Sequence, residues 1–191
     1  MRTFLRVIAL GSAISGLALS AHAAQYIDNG SFETGDFTGW TTSNLNATLV
    51  ASAGFDGWPA EGNFFAALGN VGSDGVLSQT FVDTPGSTLL ISFYQGSDGG
   101  TPNDFSATFD GTPLLLLVNQ TNQRPNYTHF TFTATATGSD TLSFNERNDP
   151  GYDALDNVTV TSMPEPAAWA TMLLGIGLAG GALRRRTARA G

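Results

Sequence analysis

Between residues 25 and 162, apolar side chains recur at every second position in short runs, and each run ends at a cluster of turn-forming residues. This period is that of a pleated strand with one buried face, whereas the apolar stripe of a helix returns every three or four residues. In 129–136, Phe130, Phe132, Ala134 and Ala136 alternate with His129, Thr131, Thr133 and Thr135. Leu89, Ile91 and Phe93 share one parity in 88–94, as do Phe105, Ala107 and Phe109 in 105–109. Leu142 and Phe144 repeat the pattern in 141–145, and Val158 and Val160 close it. The stretch 76–82 reads as another strand, and the apolar run 114–118 as a fully buried one. Between them lie Asp83-Thr84-Pro85-Gly86, Ser97-Asp98-Gly99-Gly100, Thr137-Gly138-Ser139-Asp140 and Asn148-Asp149-Pro150-Gly151. Asp110-Gly111 is the sharpest hairpin signal, because a tight two-residue turn demands positive φ at both positions. Many short strands joined by such turns predict an all-β sandwich or barrel.

Charge separates this domain from its flanks. The chain contains no lysine and no cysteine, so neither a disulfide framework nor a thiolate metal site is available. Residues 25–162 hold 15 acidic residues against Arg124 and Arg147 alone, a formal net of −13. Such a surface repels nucleic acid and anionic membranes and accommodates cations and neutral partners. The other six arginines lie in the two terminal segments.

Residues 1–23 have the layout of a signal peptide: Arg2 and Arg6, an apolar stretch, then Ala21-His22-Ala23 with small residues at −3 and −1 of a cleavage site. The apolar stretch is short for a membrane span, the competing reading. At the other end, 167–183 is uncharged and just long enough to cross a bilayer core, with Trp169 at one boundary and Arg184, Arg185 and Arg186 at the other. Before it stand Pro164, Glu165 and Pro166, which hold the preceding segment extended. Pro164-Glu165-Pro166, then Trp169-Ala170, a glycine-rich span and an arginine cluster resemble the PEP-CTERM sorting signal in its PEPxxWA variant. The resemblance implies export, recognition by an exosortase, cleavage near the Pro-Glu-Pro motif and delivery to the cell surface, envelope or medium. A plain C-terminal anchor is the alternative. The organisation expected is therefore a signal helix at 1–23, one β-domain at 24–162, and a sorting tail at 163–191 with its hydrophobic helix at 167–183.

Within the domain, the run from Asn29 through Gly30-Ser31-Phe32-Glu33 to Trp40 looks like the opening strand of galactose-binding-like jelly rolls, a group that includes carbohydrate-binding modules. Val76-Leu77-Ser78-Gln79-Thr80-Phe81, Thr84-Pro85-Gly86 before Leu90-Ile91-Ser92-Phe93, Phe109-Asp110-Gly111-Thr112-Pro113-Leu114 and Leu155-Asp156-Asn157-Val158-Thr159-Val160 follow in the same order. The resemblance implies a jelly-roll β-sandwich whose first and last strands are neighbours. It also implies a structural calcium ion near them, held by Asn29 or Glu33 and by Asp156. By parity with Val158 and Val160, Asp156 is expected to face the core, where a carboxylate needs a cation or several hydrogen-bond donors. Backbone amides are the alternative donors.

Sugar rings stack on exposed aromatics, so Trp58, Tyr94, Tyr127 and Tyr152 form the candidate binding platform, with Arg124, Arg147 and Glu146 as polar partners. Trp40 reads as core. His129, the one histidine after the signal segment, falls on the polar phase of its strand, and no nucleophile–base pair accompanies it. The leading expectation is a non-catalytic polysaccharide-binding domain. Competing with it are an adhesive surface protein presenting the threonines at 131, 133, 135 and 137, and a hydrolase built on two close carboxylates with divergent pKa values.

Overall fold

Leu142, Phe144 and Glu146 face inward along one strand while Thr141, Ser143 and Asn145 face outward, and four other strands repeat that alternation over most of their length. In this computed structural model, residues 23–54 and 59–163 are described, and Ala23–Glu165 cluster as one compact unit. The ten strands are β1 (Thr41–Ser43), β2 (Leu49–Ser52), β3 (Phe64–Leu68), β4 (Gly75–Val82), β5 (Thr88–Ser97), β6 (Asn103–Phe109), β7 (Thr112–Val118), β8 (Thr128–Thr135), β9 (Ser139–Asn148) and β10 (Asp153–Ser162). They form two antiparallel five-stranded sheets, ordered β1-β4-β9-β6-β7 and β2-β3-β10-β5-β8. This is a jelly-roll β-sandwich, and the described residues contain no helix. The expected signal helix and sorting helix, with Ala21, Pro164, Glu165, Pro166, Trp169, Ala170 and Arg184–Arg186, lie outside the described residues.

The core sits between the sheets and is built on aromatic rings. Phe93 of β5 has its ring centroid 5.1 Å from that of Phe144, 6.1 Å from Phe105 and 5.7 Å from Phe130. Trp40 is buried as expected; it stacks on Phe32 at 5.7 Å, and its indole Nε1 donates to the Asn29 carbonyl at 3.1 Å. The first segment runs beside β10: Gln25 bridges Thr161, Tyr26 N donates to the Val160 carbonyl at 2.9 Å, and Val158 N donates to the Gly30 carbonyl at 2.8 Å. A Cβ on Gly30 would lie 1.9 Å from the Val158 carbonyl oxygen, so only glycine permits that approach.

The Asp110-Gly111 turn joins β6 to β7 with φ of 48° and 74°, the positive values its sequence requires. Two expectations are corrected. The run 114–118 is not a buried strand: β7 is the edge of its sheet, and Leu116 and Val118 are 68% and 59% exposed. A run of leucines signals burial on both faces by composition alone, but a strand with one neighbour has solvent on its outer side. The second concerns Asp156. β10 slips register against β5 between Asp156 and Thr159, at Asn157 with φ of 47°. This bulge inserts one residue and inverts the parity. Leu155 and Val158 therefore both face the core, while Asp156 belongs to the outer face of the sheet.

Candidate functional site

The outer face of the β2-β3-β10-β5-β8 sheet gathers the aromatics. Tyr94 of β5 is opposite His129 of β8 on one side and Asp156 of β10 on the other. The Tyr94 and His129 rings stack at 4.4 Å with 11° between planes, and Ser92 Oγ shares a 2.6 Å hydrogen bond with His129 Nε2. Tyr127, just before β8, meets Tyr94 edge-on at 6.3 Å. Tyr127 and Tyr152 both pack on a small apolar cluster of Ala51, Phe65, Ala67 and Ala154, separate from the main core. Tyr152 lies flat against Gly69, where a Cβ would come within 2.5 Å of its ring. Burial, and then the Asp156 charge, push the Tyr127 phenol upward, so it stays a neutral hydrogen-bonding group.

Asp156 is fully buried although it faces outward, because the 60–61 segment crosses over it. Its Oδ2 accepts from Ala60 N at 2.7 Å and Glu61 N at 3.0 Å, and its Oδ1 from Asn157 N at 2.7 Å. Burial nonetheless outweighs these donors and raises its pKa to about 6. The Glu33 charge acts on it in the same direction. Glu33 Oε1 accepts from Asn63 N and Phe64 N at 2.8 and 2.9 Å, and these amides hold its carboxyl below the usual range. Asn29 spends its Nδ2 on the carbonyls of Asp36 and Thr38 and its Oδ1 on Thr34 N.

Glu33 and Asp156 therefore form a clasp in which backbone amides supply the positive partners, while Asn29 is bonded within its own loop, to residues 34, 36 and 38. Among the described residues no group of three or more acidic or histidine side chains gathers about one point.

Of the expected platform, Tyr94 and Tyr127 come together, and Tyr152 shares the apolar cluster beneath Tyr127. Trp58 lies outside the described residues. Two expected polar partners are elsewhere. Glu146 points into the interior, fully buried, where it accepts from Thr48 Oγ1 and Asn70 N; burial raises its pKa to about 7. Arg147 is paired with Asp149. Arg124 stays near the platform, its charge acting on Tyr127. His129 is exposed as its phase predicts, but its ring joins the aromatic group through the β5–β8 register, which no single-strand pattern reveals.

Asp83 and Asp140 are a hydrogen-bonded carboxylate pair with divergent pKa values. Asp83 is raised to about 6 by burial and by its hydrogen bond with Asp140, whose own carboxyl is lowered despite burial, chiefly by that bond. Two carboxyls sharing a proton lack the spacing of about 5 Å or more that glycoside hydrolysis requires. Both are turned onto the 137–138 turn, Asp140 accepting from Thr137 N at 2.9 Å and Asp83 from Gly138 N at 2.9 Å.

No family model and no curated protein matches the chain. Solved structures do. TmCBM61 in complex with β-1,4-galactotriose superposes with a TM-score of 0.59 at 18% identity, over 73% of this chain and 99% of that one. The CBM22-1 xylan-binding domain of Paenibacillus barcinonensis Xyn10C gives 0.52 at 17% identity, over 76% and 99%. The tailspike protein 4 of bacteriophage CBA120 gives 0.52 at 16% identity over 73% of this chain, but only 21% of its own. At these identities the likeness is one of fold: the chain has the jelly-roll architecture of carbohydrate-binding modules.

Proposed function

We propose that this protein is a non-catalytic polysaccharide-binding module delivered outside the cytoplasm. The glycan lies across the outer face of the β2-β3-β10-β5-β8 sheet, with Tyr94, Tyr127 and Tyr152 as stacking surfaces and His129 and Ser92 as hydrogen-bonding groups beside them. The observation that carries this reading is the Tyr94–Tyr127–His129 cluster on the outer face of a sheet. It occurs in a fold shared with modules that bind galactotriose and xylan. Trp58 completes the platform in this proposal. Export relies on the signal at 1–23 with Ala21 and Ala23 at its cleavage site. Surface delivery relies on exosortase processing at Pro164-Glu165-Pro166, after transient membrane insertion of 167–183. The ligand class is polysaccharide of the envelope or extracellular matrix.

Affinity electrophoresis of residues 24–162 through gels containing different polysaccharides tests the binding. Retardation by one polysaccharide, abolished by Tyr94→Ala, is the expected result; migration unchanged across a panel that includes the producer's own exopolysaccharide refutes it. A second reading has one observation in its favour. Thr131, Thr133 and Thr135 are all exposed in a regular row along β8. If adhesion to proteins, ice or abiotic surfaces survives Tyr94→Ala but is lost when these threonines are replaced, that reading stands instead.

A further inference from the structure

The space between the sheets is not apolar throughout. At one end the inward positions of β5, β6, β9 and β10 carry Gln95, Ser97, Asn103, Glu146, Asn148 and Asp153, every one of them fully buried or within 1% of it. Most of their polar atoms are matched. Gln95 exchanges amide hydrogen bonds with Gln120 at 2.8 and 3.0 Å, and Asn103 Oδ1 accepts from Gln120 N at 2.8 Å. Glu146 has Thr48 and Asn70. Two oxygens accept no well-formed hydrogen bond, Asn148 Oδ1 and Asp153 Oδ2, although the Ser97 hydroxyl lies near enough to the Asp153 carboxyl to favour its charged form.

Their surroundings make that absence costly. Asn148 Nδ2 donates to Asp153 Oδ1 at 3.1 Å and to Asp98 Oδ1 at 3.3 Å, so one neutral amide is the bridge between two carboxylates. The charges acting on Asp153, those of Glu146 and Asp98, are both negative. Arg147 is bound to Asp149. Burial raises the Asp153 pKa to about 7, and an unmatched buried carboxylate oxygen among like charges needs a proton or a cation. Glycine lets the backbone approach these oxygens closely. A Cβ on Gly100 would lie 2.6 Å from Asn148 Oδ1, and a Cβ on Gly151 would lie 2.8 Å from that oxygen and 2.3 Å from Asp98 Oδ1.

We infer that this polar end of the sandwich is a calcium site, with Asp153 Oδ2 and Asn148 Oδ1 as its core ligands. Calcium is a hard cation that takes six to eight oxygens, many of them amide, hydroxyl or backbone oxygens, and this donor set is all oxygen. Ser97, opposite Asp153 in the β5–β10 register, and Asp98 supply further oxygens. The ion ties the ends of β5, β9 and β10 together. It also steadies the outer face, because Tyr152 N donates to Asp98 Oδ2 at 2.8 Å.

The test is calcium titration of chelator-treated residues 24–162, which carry their own closed core, read by calorimetry and by thermal melting. The expected result is one calcium per chain and a melting temperature raised by about 5 °C or more at saturating ion. Asp153→Asn abolishes both responses, and Asp98→Asn weakens binding about tenfold. Glu33→Gln, in the clasp on the outer face, leaves them intact. The inference is overturned by absence of binding to the unmodified domain, by full binding in both aspartate variants, by an equal response to magnesium, or by loss of binding in Glu33→Gln, which would place the ion in the clasp. Polysaccharide retardation is measured separately on the calcium-loaded domain. Failure there removes the sugar-binding reading and leaves the ion in place.

Discussion

Asp153 and Asp156 lie three residues apart on one strand, and both are fully buried, yet their environments differ. Asp156 faces the outer layer and has three backbone amides on its two oxygens. Asp153 faces the inner layer and has one oxygen that accepts no well-formed hydrogen bond. The main chain can neutralise a carboxylate only where a segment crosses it with its N–H groups free. The 60–61 segment does this for Asp156. Between two sheets, backbone N–H groups are committed to the ladders, and an inward carboxylate must find side chains, a proton or an ion. The comparison assigns β10 two jobs: its outer face organises the platform, and its inner face closes the end of the sandwich.

The largest expected effect breaks the comparison at Asp156. Asp156→Ala strips the amides of Ala60, Glu61 and Asn157 of their acceptor at once. Ala60 and Glu61 lie at the exposed surface, where water takes over part of the lost bonding, so the domain loses about 2 kcal/mol and melts about 6 °C lower. Asp153→Asn in chelator strands nothing new, because the replacement still accepts from Asn148 and removes a charge that Glu146 and Asp98 oppose. Its melting temperature at pH 8 is equal to or above that of the unmodified domain. Paired thermal melts in chelator measure both. Equal losses from the two substitutions would show that the contrast between the faces is not real.

The outer face is then tested for binding alone. Tyr94→Ala removes the ring between His129 and Tyr127 and lowers polysaccharide affinity by about tenfold or more, the scale expected for one lost stacking partner at a binding surface. The calcium response is unchanged, since Tyr94 points away from the inner layer. Gel retardation and calcium calorimetry on the same protein sharpen the division. Loss of both would mean the two faces act as one site.

Much of this fold was legible in the sequence, and the exceptions have physical causes. Parity alone identified the inward faces of β5, β6, β8 and β9, and the Asp110-Gly111 turn located its hairpin. The strands β1, β2 and β3 went unnoticed because Thr41–Ser43, Leu49–Ser52 and Phe64–Leu68 are three to five residues long, too short to show a period. Asp156 was placed on the wrong face because parity is carried along a strand only while its register holds, and Asn157 breaks it. The tyrosines were found by residue type, but His129 joins them only across strands. The polar end was hidden because Gln95, Ser97, Asn103, Glu146, Asn148 and Asp153 come from four strands, and each looks like an ordinary strand-end polar residue.

A smaller effect comes from the acids at Asp83 and Asp140. Asp83 is raised from 3.8 to about 6, so the folded state holds a proton there that the unfolded chain has released. That contribution is present in full below the unfolded value and is lost as pH rises through about 6. Asp140 is lowered and acts in the opposite sense, its contribution being lost on acidification. The pair is most stable with one proton between them. From pH 5 to 7.5 its contribution falls, lowering the melting temperature by about 3 °C. Asp83→Asn makes the slope shallower by that amount, the remainder coming from Asp156, raised to about 6, and from Glu146 and Asp153, each raised to about 7, and melts of both proteins across that range, in chelator, measure the difference. A slope that is the same in Asp83→Asn assigns the pH response to the carboxylates of β9 and β10.

The finest test touches neither carboxylate. Tyr152 joins the two faces: its ring lies on the outer cluster against Gly69, while its amide is held by Asp98 on the proposed calcium loop. Gly69→Ala places a methyl 2.5 Å from the Tyr152 ring, which must tilt outward to admit it. Because the ring is only half-buried, the expected cost in stability is small, about 1 kcal/mol. The methyl also meets the Gly151 carbonyl at 3.0 Å, a contact that a small shift relieves, so polysaccharide affinity falls about threefold through the displaced platform while calcium affinity falls by less than that. If calcium affinity falls as far as polysaccharide affinity, the ring and the loop move as one body, and β10 couples its two faces through Tyr152.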